Sequence, residues 1–151
     1  MIKKLLSFTL AALTAASVSS SLASFGTANV RSLLKEDSLV VYDEDLGYLK
    51  GIFPDTAVKA FKSNFISDIT VKDASGNAAS DDAPVGTDFA VTADGAEFKT
   101  LVYGDVNRDG KVDTKDVIFM IRKSIGWDID ANMTAFDVNR DGTQNSKDII
   151  T

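Results

Sequence analysis

The chain has 151 residues, with 16 lysines and arginines against 22 aspartates and glutamates and a formal net charge of −6. It has neither cysteine nor histidine, which excludes disulfides and the side chains that zinc or copper usually require. The acidic balance, without a basic patch interleaved with aromatic residues, argues against a nucleic-acid partner. The length suits one or two small domains.

The N-terminus has the three parts of a secretory signal peptide. A basic stretch over residues 1–4 precedes an apolar run over residues 5–16, and Ser21 and Ala23 are small residues of the kind that precede a cleavage point. The apolar run is too short for a typical membrane span, although a retained N-terminal anchor is the alternative. We predict a signal peptide over residues 1–23, a linker over residues 24–38, and a secreted or cell-surface monomer without membrane contact after cleavage.

The middle of the chain, residues 39–103, predicts a small β-rich domain with one helix. The Asp94-Gly95 pair is typical of a hairpin turn. Val58, Phe61 and Phe65 have the spacing of a buried helix face, which we interpret as core rather than as a cofactor site. Runs rich in β-branched and aromatic residues read as strands or extended pieces: 39–42, 48–53, 69–72, 87–92 and 98–103.

Two near-identical acidic segments, residues 105–116 and 137–148, occupy the C-terminal third. The offset between them is constant (137 − 105 = 32), and both begin with Asp-Val-Asn-Arg-Asp-Gly. Oxygen-bearing side chains recur at positions 1, 3, 5, 9 and 12, with glycine at position 6. This is the spacing by which one loop wraps a calcium ion, with a main-chain carbonyl from position 7.

We therefore predict two calcium sites. Hard oxygen ligands favour calcium over zinc or copper, and magnesium would demand a tighter octahedron. An ordinary metal-free turn is the alternative, but it would crowd several carboxylates together without an arginine cluster to neutralise them. The predicted ligands of loop one are Asp105, Asn107, Asp109, Lys111 (through its carbonyl), Asp113 and Asp116, and those of loop two are Asp137, Asn139, Asp141, Thr143 (carbonyl), Asn145 and Asp148.

The segments that flank loop one distinguish it from a helix–loop–helix sensor. Residues 97–103 alternate and read as a strand, so a strand enters the loop and a helix leaves it. Asp113 or Thr114 can cap this helix, and Gly126 is a natural stop.

This order of loop, helix, linker and loop, with Gly-Asp-Val-Asn-Arg-Asp-Gly at 104–110 and Ser-Lys-Asp-Ile-Ile at 146–150, resembles a type I dockerin module. The resemblance covers residues 104–151. It implies calcium-dependent binding to the cohesin domain of a scaffold protein in extracellular polysaccharide degradation (the cellulosome arrangement). It also implies a partner face, each residue of which could instead be an ordinary solvated helix start: Thr114, Lys115, Ile118, Ile121 and Arg122 in the first repeat, and Ser146 and Lys147 in the second.

The second repeat departs from the dockerin pattern, because its helix has only a few residues before the sequence stops at Thr151. A single turn is not a stable helix by itself. The sequence is then either a fragment of a longer protein, which we favour, or a degenerate module, and we expect loop two to be less ordered and its calcium weaker.

The predicted fold class is α+β: a small, mostly antiparallel β domain with one helix, then an all-α dockerin-like module with two calcium-binding loop–helix repeats, of which the second helix is cut short. Without histidine or cysteine, and without a carboxylate pair in a cleft, we expect no catalysis from this chain. A catalytic domain in a longer parent protein stays open. The alternative function is a calcium-stapled structural surface module without a cohesin partner.

Overall fold

The fold is taken from a computed structural model that describes residues 30–150. The predicted signal peptide and the first part of the predicted linker lie outside these residues. Five short strands form one sheet in the order β1-β2-β5-β4-β3. The strands are β1 Val41–Asp43, β2 Tyr48–Lys50, β3 Thr70–Lys72, β4 Ala90–Ala93 and β5 Ala96–Thr100, and the helices are α1 Val58–Lys62, α2 Thr114–Ser124, α3 Met133–Phe136 and α4 Ser146–Ile149.

Local sequence explains the two hairpins of the sheet. Asp94 and Gly95 both have positive φ values, 48° and 79°, and they close the β4–β5 hairpin where Ala93 pairs with Ala96. Such a two-residue turn matches the twist of the strands that it joins. The predicted Asp94-Gly95 turn is therefore present. In the other hairpin, the turn between β1 and β2, the Asp43 carboxylate accepts a hydrogen bond from the backbone of Leu46.

The larger core lies between the sheet and α1. Buried and less buried residues alternate along β4 and β5, so that Val91 and Phe98 face the same side. From α1 and the turn after it, Phe61 and Phe65 meet edge to face, with ring centroids 5.3 Å apart. Residues 30–34, in the segment predicted as a linker, add buried apolar side chains to this core: Val30, Leu33 and Leu34.

A second core joins the sheet to the C-terminal region. Leu101, at the end of β5, packs with Val106, Met120 of α2, and Phe136 of α3. The segment after α2 returns to loop one, because the backbone of Asn132 donates to the carbonyl of Val106 at 3.0 Å. The C-terminal region is thereby packed onto the end of the sheet rather than separated from it.

The predicted fold class is wrong. The sheet is mixed, since β2 pairs parallel with β5 while the other pairs are antiparallel. Residues 114–149 do not form an all-α module of two repeats, because only α2 is longer than one turn and α3 and α4 have four residues each. The physical reason is the abundance of Asp, Asn and Gly, whose side chains and backbone freedom favour turns over helix.

In the part of the chain that the structure describes, no helix has the length and apolar character needed to cross a bilayer.

Candidate metal centre

The first acid of loop one is fixed by backbone N–H groups. Oδ1 of Asp105 accepts from the backbone of Asp109 at 2.9 Å, and Oδ2 accepts from Gly110 at 3.2 Å. Oδ2 also accepts a 2.6 Å hydrogen bond from the backbone of Thr87, which lies outside the loop just before β4. Charge-assisted hydrogen bonds of this kind are stronger than neutral ones, so they orient the carboxylate firmly.

The last acid of loop one closes the loop on its own backbone. Oδ1 of Asp116 accepts from Val106 at 3.0 Å and from Asn107 at 3.3 Å, and Oδ2 accepts from Asp113 at 3.0 Å. Asp113 in turn is the N-cap of α2, and its side chain accepts from the backbone of Lys115. This capping box joins the end of the loop to the start of the helix.

Loop two repeats this arrangement. Asp137 accepts from the backbones of Asp141 at 3.0 Å and Gly142 at 2.9 Å, as Asp105 does from the matching residues. Asp148 accepts from Asn139 at 3.3 Å and from Asn145 at 2.9 Å, as Asp116 does in loop one. The sequence repeat is thus also a repeat of hydrogen-bonding geometry.

The backbone curvature of the two loops also matches. Position 4 has positive φ in both loops, 68° at Arg108 and 60° at Arg140, and the glycines at position 6, Gly110 and Gly142, both have a φ of 80°. Positive φ is strained for a residue with a side chain and free for glycine, which accounts for glycine at the sharp turn.

The donor chemistry of both loops fits calcium, because it consists of carboxylate, amide and main-chain carbonyl oxygens. Among residues 30–150, however, no three acidic side chains converge closely enough to hold a metal ion by themselves. Asp109 contacts the amide of Asn107 at 3.1 Å and the ammonium of Lys115 at 3.5 Å. In loop two, the carbonyl of Thr143 accepts from the Asn145 amide at 3.0 Å. An ion would have to replace these contacts.

Two acidic side chains of loop one are buried, and burial disfavours their ionised forms. Asp105 is fully buried and Asp116 is 1% exposed. Burial raises the pKa of the Asp105 carboxyl to about 6, with a smaller contribution from the charge of Asp116, although hydrogen bonds from Thr87 and Gly110 oppose this rise. Burial likewise raises the pKa of Asp116. A divalent cation would act in the opposite direction, because positive charge favours the ionised carboxylates.

Sequence reasoning missed a polar cluster that holds loop one against the sheet domain. Arg108 donates to Asp88 at 2.8 Å and, through both terminal nitrogens, to Asp130 at 2.7 and 3.0 Å. Asp88 also accepts from the Tyr48 hydroxyl and the Asn132 amide, both at 2.8 Å. These partners are 20 to 44 residues apart in sequence, so no local pattern signals their contact.

The seven residues predicted to contact a partner are all exposed. Those of the first repeat lie at the start and along one side of α2, where Ile118 and Ile121 are 41% and 45% exposed. Arg122 lies over the ring of Trp127, 5.3 Å from its centroid, and Trp127 is itself half exposed. The full set is Thr114, Lys115, Ile118, Ile121, Arg122, Ser146 and Lys147.

Residues 103–151 match the family model of the dockerin type I domain, which confirms the resemblance found in the sequence. Dockerin type I domains generally bind calcium, dock onto cohesin domains and are not themselves catalytic. They occur in secreted cellulosome proteins. No curated protein and no solved structure compared with this chain matches it.

Proposed function

We propose that residues 103–151 bind two calcium ions, one in each loop, and use the resulting module to tether the protein to a cohesin domain. The observation that carries this proposal is the double repeat, in sequence and in hydrogen bonding, of loops 105–116 and 137–148. Each loop would hold its ion with the ligands predicted above, at positions 1, 3, 5, 7, 9 and 12. Calcium supplies the positive charge that offsets the clustered carboxylates.

The surface that would meet the cohesin is the exposed side of α2 together with the start of α4. It combines apolar side chains, Ile118 and Ile121, with polar ones such as Thr114 and Arg122. A centre of apolar and arginine side chains within a polar rim is typical of protein interfaces.

The proposal includes a setting outside the cell. The predicted signal peptide over residues 1–23 and the occurrence of dockerins in secreted cellulosome proteins support export and a role in polysaccharide degradation. In this proposal the chain has a leader, a sheet domain over residues 39–103 and a docking module. The docking module contributes attachment rather than catalysis.

A cohesin pull-down tests the proposal. The whole chain is incubated with a panel of cohesin domains in millimolar calcium and in chelator, and binding is expected only with calcium. Changing Thr114 and Arg122 to alanine together should weaken binding while leaving calcium affinity unchanged. The matched control is Thr70→Ala with Lys72→Ala, an exposed threonine and an exposed basic residue on β3. Equal binding by both double variants would contradict the proposed face.

A structural module is the second candidate, and the contact of Thr87 with Asp105 favours it. In that case calcium would strengthen the junction between loop one and the sheet, and no cohesin would bind. The cohesin pull-down distinguishes the two candidate functions. Both predict that calcium stabilises the chain, but only the first predicts calcium-dependent binding to a cohesin.

A further inference from the structure

The two calcium loops, although alike in sequence, differ in their surroundings. Gly110 is buried, and a Cβ added there would lie 2.8 Å from the Cβ of Pro84. A Cβ added at Gly142, which has the same φ, would meet nothing within 4 Å. Asp105 is likewise fully buried, whereas Asp137 at the same loop position is partly exposed. Loop one is therefore packed against other parts of the chain at positions where loop two is open.

A residue of the sheet domain reaches the first ligand of loop one. The backbone of Thr87 donates to Oδ2 of Asp105 at 2.6 Å, while the Thr87 hydroxyl donates to the Val102 carbonyl at 3.1 Å and accepts from the Val102 backbone at 3.2 Å. Thr87 is fully buried. Because both ends of this residue are fixed, it holds the Asp105 carboxylate from outside the loop.

A second contact fixes the turn of loop one. Arg108 donates to Asp88 and Asp130, and its side chain is only 22% exposed. On the other side of the turn, the backbone of Asp55 donates to the Gly110 carbonyl at 2.9 Å. At the matching position of loop two, Arg140 is exposed and lies over the Tyr103 ring at 4.4 Å.

We propose that the sheet domain preorganises the calcium site of loop one, with Thr87, Asp88 and Arg108 as positioning residues. Site one then binds calcium more tightly than site two, and calcium bound there stabilises the sheet domain in return. This inference rests on the proposed pair of calcium sites. Groups that orient metal ligands from behind typically change metal affinity 10- to 100-fold, and a prearranged loop loses less freedom on binding. The stabilisation is mutual because binding free energies are reciprocally linked.

A matched pair of substitutions, Arg108→Gln and Arg140→Gln, tests this inference in the whole chain. Calcium is titrated and the backbone amide NMR signals of Gly110, Gly142 and Thr87 are followed. In the unchanged chain, the Gly110 and Thr87 signals should respond at lower calcium than the Gly142 signal. Arg108→Gln should weaken site one by about 10-fold or more and leave site two in place. Arg140→Gln should leave site one unchanged.

The direction in which Arg108→Gln changes the calcium affinity of site one distinguishes a positioning role of Arg108 from a purely electrostatic one. Removing a positive charge beside a cation site would by itself tighten binding. Unchanged or tighter calcium binding at site one in Arg108→Gln would therefore overturn the inference. If that variant loses its sheet signals, Arg108→Lys replaces it, since lysine keeps the charge but cannot make the forked contact with Asp130. Arg108→Lys should still weaken site one. If neither glycine signal of the unchanged chain responds to calcium, the proposed calcium sites fail, and this inference fails with them.

Discussion

The backbone nitrogen of Thr87 lies 2.6 Å from Oδ2 of Asp105, inside a fully buried contact between the sheet domain and loop one. The residue that begins loop one is thus held by a segment 18 positions earlier in the chain. Because the sheet domain orients this carboxylate, the stability of loop one is coupled to that of the rest of the fold.

Loss of the proposed first ligand should lower stability more in loop one than in loop two. Asp105→Asn and Asp137→Asn each neutralise the proposed calcium ligand at position 1 of their loop. In saturating calcium, we expect Asp105→Asn to lower the midpoint of thermal unfolding more, because Asp105 is also a buried acceptor for Thr87. Calcium at a free concentration 100 times the dissociation constant of its site stabilises the fold by about 2.7 kcal/mol, so the loss of stability should be of this order. Equal shifts for the two variants would contradict the unequal surroundings of the loops.

The glycines at loop position 6 offer a purely steric comparison. Gly110→Ala and Gly142→Ala place the same side chain at the same φ of 80°. Backbone strain should lower the unfolding free energy of both variants by about 1 kcal/mol. In Gly110→Ala the unfolding free energy should fall by a further 1–3 kcal/mol or so, because the added methyl group would overlap Pro84.

Urea unfolding of both glycine variants in calcium measures this difference. If the two variants unfold at the same urea concentration, the packing of loop one on Pro84 does not hold in solution.

Asp88 should make stability depend on acid pH. Burial opposes its ionisation, but hydrogen bonds from Asn132, Tyr48 and Arg108 outweigh burial and lower its pKa from 3.8. A carboxylate whose pKa is lower in the folded state stabilises the fold above its unfolded pKa, and this contribution is lost as pH falls through the folded pKa. The unfolding free energy of the unchanged chain should therefore exceed that of Asp88→Asn by a constant amount above about pH 4.

Below that pH the gap between the two chains should narrow. Urea unfolding of both chains in calcium-free buffer from pH 3 to pH 7 tests this, because a difference in calcium affinity between the two chains then cannot contribute. A gap that stays constant down to pH 3 would show that the Asp88 carboxylate does not stabilise the fold through its charge.

Trp127 should report on cohesin binding. It is the sole tryptophan of the chain, is 54% exposed and lies beside Arg122 of the proposed partner face. Burial of its ring in a complex should shift its fluorescence to shorter wavelength when a tryptophan-free cohesin is added in calcium. The shift should vanish in chelator and in the Thr114→Ala, Arg122→Ala double variant. A cohesin that binds without moving the emission would place the interface elsewhere.

Sequence reasoning succeeded where local chemistry decides the structure. The Asp94-Gly95 turn, the N-cap of α2 at Asp113 and the repeated curvature of the two loops depend on neighbouring residues, and each is present. The sequences of the two loops also indicated the resemblance to the dockerin family that the match of residues 103–151 confirms.

Sequence reasoning failed where distant residues decide the structure. The parallel pairing of β2 with β5 and the contacts of Asp88 with Arg108 join segments whose proximity no periodicity encodes. The sequence of α2 also does not show which of its apolar residues are buried. Met120 is buried, whereas Ile121 and Ile125, which are apolar as well, are exposed. The expected all-α module was wrong, because its Asp-, Asn- and Gly-rich segments form turns and because this region packs on the sheet.

The central claim is that calcium in the two loops holds the C-terminal region together. Thermal unfolding of the chain in millimolar calcium, compared with unfolding in excess chelator, tests it most directly. We predict a clearly higher unfolding midpoint in calcium, with the size of the shift growing with calcium concentration. Identical midpoints under the two conditions would contradict the account.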